Sequence, residues 1–237
     1  MLPPKNSSSV AFYKKYRGIS EWRNEKKFLE LGLENAPKIY SHNIDDPSIT
    51  MEFIPGVRPD CLCEKWFEVF KKHVKELNEV ADTIGWIGVD NGPNFHIEEC
   101  ENRLIQSRSV LGSTKEVENL GWRMRLECHK IENMKWNNDN TIIGSLDYGP
   151  HNTIFYNDEY RLIDFEYVSH VELSIFAVKF WIRTRKHHLN MFGSSDDSKL
   201  IEELSQYQVN DAWIEQYRRL KYVCLLQLEM KDLIKNR

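Results

Sequence analysis

Residues 142–167 read IIGSLDYGPHNTIFYNDEYRLIDFEY, from Ile142 to Tyr167. Two short apolar runs, one around Asn152–Phe155 and one over Tyr160–Phe165, flank the polar segment Asn157-Asp158-Glu159. β-branched and aromatic runs bounded by turn residues predict strand, turn, strand. Three polar residues interrupt this apolar context: Asp147, Asn152 and Asp164. An acid, an amide five residues on, and a second acid at the end of the next strand make a phosphoryl-transfer arrangement. Asp147 is placed to orient a hydroxyl nucleophile and accept its proton. Asn152 and Asp164 offer hard oxygen ligands for magnesium, which offsets the charge of nucleotide phosphates.

The same stretch resembles the aminoglycoside phosphotransferase and choline kinase branch of the protein-kinase-like superfamily. That branch reads H-G-D-x-x-x-x-N, a short hairpin, then I-D-[FW]-E. Asp147, Asn152, the Gly149-Pro150 pair and Ile163-Asp164-Phe165-Glu166 match it. Glu166 stands where ordinary protein kinases have glycine, which favours the small-molecule branch. Two positions depart: Ser145 replaces the loop histidine and Leu146 the following glycine. The acidic residue that follows the D-F-E motif in the branch has only Glu172, within VELSIFA, as an equivalent. The resemblance implies an α+β, two-lobed protein-kinase-like fold, with a small N-terminal sheet lobe and a larger, mainly helical C-terminal lobe. It further implies a single kinase-like domain over 1–237, with an N-lobe at 1–51, a hinge at 52–56 and a C-lobe at 57–237.

At 237 residues and 28.2 kDa the chain can bury a good core. Its net charge of −4 offers no general basic surface for nucleic acid. No apolar run approaches the roughly 18 residues that a membrane span needs. The start, MLPPKNSSSV, lacks the apolar core of a secretion signal. Five cysteines without zinc spacing read as free thiols of a cytoplasmic protein.

Val10–Tyr16 reads as a strand by its aromatic and β-branched content. Val10, Phe12 and Lys14 share one face, and Ala11, Tyr13 and Lys15 the other. By the resemblance Lys14 grips the α and β phosphates of ATP, with Lys15 the alternative one register away. A helix over Ser20–Leu33 follows, with Ser20 as its cap. Glu25 corresponds to the helix glutamate that holds the strand lysine toward the phosphates, and Glu21 is the alternative one turn earlier. Ser48–Phe53 is the next strand, and Met51-Glu52-Phe53-Ile54-Pro55-Gly56 resembles the branch's hinge. There the Glu52 carbonyl and the Ile54 amide pair with adenine, and Met51 backs the slot.

Kinases place a strand, a glycine-rich loop and a second strand ahead of the lysine strand. That takes roughly a dozen residues or more, whereas nine precede Val10 and Lys5–Ser9 contains no glycine. Either the true start lies upstream of Met1 or the phosphate cover is reduced or absent.

Beyond the hinge a long helix is predicted over Asp60–Trp86, with Trp66, Phe67, Phe70, Val74, Leu77, Ala81 and Ile84 at helical period. His73, beside Lys71 and Lys72, reads as lying on its polar side. Gly88–His96 is a loop by composition, and Asn137–Asn140 a turn. Helices are expected near Glu98–Leu111 and Lys115–Trp136, and after Tyr167 the chain reads as helical, over Glu172–Leu189 and Asp211–Lys235. Arg183, Arg185, Lys186, His187 and His188 form a basic cluster that reads first as a solvated helix end and second as an anion site. Together these readings predict an ATP- and magnesium-dependent phosphotransferase acting on the hydroxyl of a small molecule. The alternative is a non-catalytic, pseudokinase-like scaffold.

Overall fold

A computed structural model describes residues 11–80, 94–136 and 140–236. Val10, Ala81, Ile84, residues 88–93 and the turn at 137–139 lie outside the described residues. The chain packs into two compact units. The first comprises Met1–Ile87, Ile143–Ser169 and Lys186–Ser195, and the second Gly88–Ile142, His170–Arg185 and Asp196–Arg237.

In the first unit, β1 (Ala11–Lys15), β2 (Ile39–Asn43) and β3 (Ser48–Glu52) form an antiparallel sheet in the order β1-β3-β2. Lys14 lies opposite Ile49 and Phe12 opposite Met51. Helix α1 (Ile19–Leu29) starts at Gly18 rather than Ser20. The Glu21 carboxylate accepts from the Gly18 amide at 3.0 Å, which commits Glu21 to the cap and not to Lys14. Trp22, Glu25, Phe28 and Leu29 form the buried face of α1.

The predicted hairpin is present as β5 (Thr153–Tyr156) and β6 (Glu159–Leu162). Asn157 and Asp158, the two residues of its turn, have φ of 51° and 62°. Paired left-handed residues match the twist of a two-residue hairpin, and Asn and Asp tolerate that region best after glycine. Gly56 lies beside this hairpin with φ 143°, and a Cβ there would sit 2.5 Å from the Phe155 carbonyl oxygen. Val57 and Phe155 exchange two backbone hydrogen bonds, 3.1 and 2.8 Å, so glycine is what lets the two backbones approach.

Helix α2 (Glu64–Glu79) carries the expected apolar stripe. Trp66 is fully buried and donates its indole N–H to Thr153 Oγ1 at 3.0 Å. One reading is overturned here. His73 is wholly buried, its ring 5.6 Å from Phe165 and 5.5 Å from Phe28. It stands three residues after Phe70 and four before Leu77, so it falls inside the stripe, and the neighbouring lysines misled.

In the second unit, α3 (Asn94–Leu111), α4 (Lys115–Glu132), α5 (Leu173–Thr184) and α8 (Ala212–Lys235) pack together, with α8 touching the other three. Trp213, Tyr217 and Leu220 of α8 and Val117 of α4 have no exposed surface. The expectation of helix throughout after Tyr167 is corrected: β7 (Val168–Glu172) comes first and pairs with β4 (Thr141–Ser145). Its β-branched valines suit a ladder. The helix predicted to Leu189 ends at Thr184, and a short helix α6 (His188–Phe192) follows in the first unit. His188 is buried against Phe192, ring centroids 4.8 Å apart, and so leaves the solvated cluster. A further helix, α7 (Ser198–Leu204), lies between the two long helices. Among the described residues no helix is long and apolar enough to cross a membrane, and all five cysteines are free.

Candidate active site

Lys14 organises the site. Its ammonium lies 2.6 Å from Glu25 Oε2, 2.7 Å from Asp164 Oδ1 and 2.9 Å from Glu166 Oε1. Strand alternation puts Lys15 on the opposite face, where it is exposed and pairs with Asp46 at 2.7 Å. Burial works against the charge on Lys14, but the Glu25 charge and hydrogen bonds to Asp164, Glu25 and Glu166 outweigh it, holding its pKa above the ordinary lysine value.

Glu25 is 1% exposed. Burial raises its pKa, opposed by Lys14, by the Tyr16 hydroxyl donating at 2.7 Å, and by the Phe165 amide donating at 3.3 Å. This last bond ties α1 to the D-F-E segment. Phe28 of α1 stacks on Phe165 at 4.0 Å, adding an apolar tie at the same junction.

Asp164 has φ 67°, the left-handed region, which carries strain for a non-glycine residue. Burial of Phe165 on one side and the Lys14 ion pair on the other hold it there. Asn152 enters from the Pro150–Asn152 turn. Its backbone carbonyl accepts from the Ile163 amide at 3.0 Å, which draws it alongside the strand end that presents Asp164. Its side-chain amide donates to the Asp147 carbonyl at 3.1 Å and to Asp147 Oδ2 at 3.2 Å.

Ser145 accepts from the Asp147 amide through Oγ at 3.2 Å, so this hydroxyl braces the loop that carries Asp147. His151 Nε2 lies 3.1 Å from Asp147 Oδ2. The sequence reading missed His151; its position one residue before Asn152 was the available signal.

A cavity of about 300 Å³ opens beside Lys14. Lys14, Glu25, Met51, Glu52, Ile54 and Asp164 all line it; Asp147 and Asn152 do not. Phe12, Ile154 and Ile163 give it apolar walls. Phe12 was legible as the same-face neighbour of Lys14, Ile163 as the residue before Asp164, and Ile154 as the second residue after Asn152. Two backbone-directed bonds hold the hairpin to the segment before β2: Leu162 N to Asn35 O at 3.0 Å, and Arg161 Nη2 to Ala36 O at 2.8 Å.

Carboxylate oxygens of Glu25, Asp164 and Glu166 lie within 4.8 Å of one another. Such a hard-oxygen set fits a divalent cation of the magnesium type, and it is the Lys14 ammonium that now lies against it. Glu166 was read from the sequence only as a replacement for glycine, and the fold adds it to the cluster.

No family model matches the chain, and no curated relative does. Solved structures do. The choline kinase LicA from Streptococcus pneumoniae superposes with a TM-score of 0.57 at 16% identity, covering 98% of this chain and 80% of its own. An amicoumacin kinase solved with AMP-PNP, Ca2+ and Ami gives 0.56 at 11%, covering 98% and 76%. A spectinomycin phosphotransferase solved with ADP and spectinomycin gives 0.51 at 12%, covering 95% and 87%. The chain shares the fold of these structures, a small N-terminal strand region followed by a larger helical part.

Proposed function

We propose that this chain is an ATP-dependent phosphotransferase that moves the γ-phosphoryl group to a hydroxyl of a small molecule in the cytoplasm. The observation that carries the reading is the Lys14 ammonium, held between a buried helix glutamate and the acid of the D-F-E motif 150 residues away in sequence. A scaffold has no need to hold these residues in contact.

In this reading residues 1–51 cover the nucleotide, 52–56 form the hinge, and 57–237 carry the catalytic groups. Met51 and the backbone of Glu52 and Ile54 receive adenine in the apolar cavity. Glu52's side chain is occupied by Arg161 at 3.3 Å and the Lys38 amide at 3.2 Å, which suits a role through the backbone. Lys14 binds the α and β phosphates and Glu25 holds it in place. Asn152 and Asp164 would hold magnesium, which neutralises phosphate charge when bound. Asp147, oriented by Asn152 and His151, accepts the hydroxyl proton of the acceptor.

Asp147→Asn keeps shape and removes the proton-accepting charge. Turnover with an acceptor found by screening hydroxyl compounds should fall by a factor on the order of a hundred or more, with nucleotide affinity little changed. Full turnover by this variant would show that Asp147 is not the base. Absence of turnover in the wild type with every class of acceptor would favour the scaffold.

A further inference from the structure

An ammonium carries three N–H donors and no acceptor. Lys14 directs all three at carboxylates: Glu25 Oε2 at 2.6 Å, Asp164 Oδ1 at 2.7 Å and Glu166 Oε1 at 2.9 Å. A phosphate oxygen that takes an N–H from Lys14 must therefore displace a carboxylate from it.

The three contacts differ in how readily they exchange. The Glu25 side chain is 1% exposed and is held as well by the Tyr16 hydroxyl and the Phe165 amide. The side chains of Asp164 and Glu166 are 40% and 20% exposed. Taking the ammonium from a buried carboxylate leaves that charge uncompensated, whereas water solvates one that is exposed. The exchange therefore falls on Asp164 and Glu166, and Glu25 stays with Lys14. These two carboxylates belong to the hard-oxygen set whose members lie within 4.8 Å of one another. Together they carry two negative charges, which one divalent cation matches. An ammonium bonded to both opposes such a cation by occupying its ligands and by like charge.

We propose that Lys14 competes with the divalent cation for Asp164 and Glu166, and that nucleotide phosphates admit the metal by drawing the ammonium off these two carboxylates while Glu25 keeps hold of it. Metal and nucleotide then bind as a linked pair, and the linkage is reciprocal. Metal alone must act against the ammonium, and nucleotide alone must leave two carboxylates bare beside its phosphates. Glu166 gains a role in this exchange, as a metal ligand that Lys14 covers. The proposal deepens the phosphotransferase reading and rests on it for the part played by the phosphates. The competition between ammonium and metal stands on the three ion pairs.

MnCl2 titrated into the full chain without nucleotide or magnesium, and followed by electron paramagnetic resonance, tests the competition. We expect Lys14→Met to bind one Mn2+ on the order of tenfold more tightly than the wild type, and Lys14→Met/Glu166→Gln to lose that gain. Glu25 retains its bonds to Tyr16 and Phe165 in both variants, and circular dichroism and the melting temperature check the fold. Glu166→Gln by itself keeps Lys14, and decides the matter if Lys14→Met does not fold. With one exchangeable carboxylate removed, calorimetry should show severalfold tighter binding of ADP in EDTA and weaker binding with magnesium. A purely structural role for Glu166 would move both affinities the same way. Equal Mn2+ affinity in wild type and Lys14→Met, or a gain that survives Glu166→Gln, would overturn the proposal. So would Glu166→Gln binding ADP no tighter than the wild type in EDTA. If ADP binds neither protein, the nucleotide reading fails and the Mn2+ comparison alone decides the competition.

Discussion

His73 lies beneath the D-F-E motif, and its burial has a measurable consequence. Its ring packs against Phe28, Tyr148 and Phe165, and neither ring nitrogen has a hydrogen-bond partner among the described residues. Burial alone pushes its pKa down to about 3. In the unfolded chain the value is about 6.5. Below that pH the unfolded state binds a proton that the folded state refuses, so stability falls as pH falls from 6.5 toward 3. Between pH 7 and pH 5 the two values give a loss of about 2 kcal/mol from this group.

Glu172 titrates in the opposite sense. Burial raises its pKa to about 7, so its contribution is present below the unfolded value near 4.5 and is lost as pH rises through 7. Comparison with a variant that retains Glu172 cancels that term. His73→Phe keeps an aromatic ring of similar shape and removes the titration. At pH 7 the variant should be no less stable than the wild type, because no bonded polar group is lost. At pH 5 it should gain about 2 kcal/mol on the wild type. Denaturant unfolding at both pH values measures this. A wild-type-to-variant difference that is the same at pH 5 and pH 7 would refute a buried neutral imidazole at this position.

Lys14→Met should weaken binding of a nonhydrolysable ATP analogue at least tenfold by calorimetry, since charged contacts to phosphate are lost, and Lys15→Met should leave it unchanged; equal effects would contradict the strand register. Asp164→Ala should abolish most of the magnesium dependence of nucleotide binding, and Asn152→Ala should reduce it less, because water can partly replace a neutral ligand. Equal nucleotide affinity of wild type and Asp164→Ala, with and without magnesium, would contradict the metal assignment. Gly56→Ala should destabilise the fold by on the order of 3 kcal/mol, through its φ and its collision with the Phe155 carbonyl; a melting temperature equal to the wild type would show that the hairpin can move away.

The hairpin stretch was readable before any fold was known because its signals are local. The polar segment Asn157-Asp158-Glu159 between β-formers marks the turn, the structure narrows it to Asn157-Asp158, and the hairpin fixes the distance along the chain from Asn152 to Asp164. Strand alternation separated Lys14 from Lys15, yet which face meets Asp164 depends on where β1 packs. Only the tertiary structure brought Glu25, Asp164 and Glu166 around one ammonium. It also assigned Glu21 to the helix cap, because cap and ion-pair roles look alike on one helix face. His73 was misread because adjacent lysines mark a polar face only when the helix phase is known, and the phase is set by what the helix packs against. β7 escaped notice for a similar reason: five residues carry too little periodicity to declare a strand until β4 pairs with them.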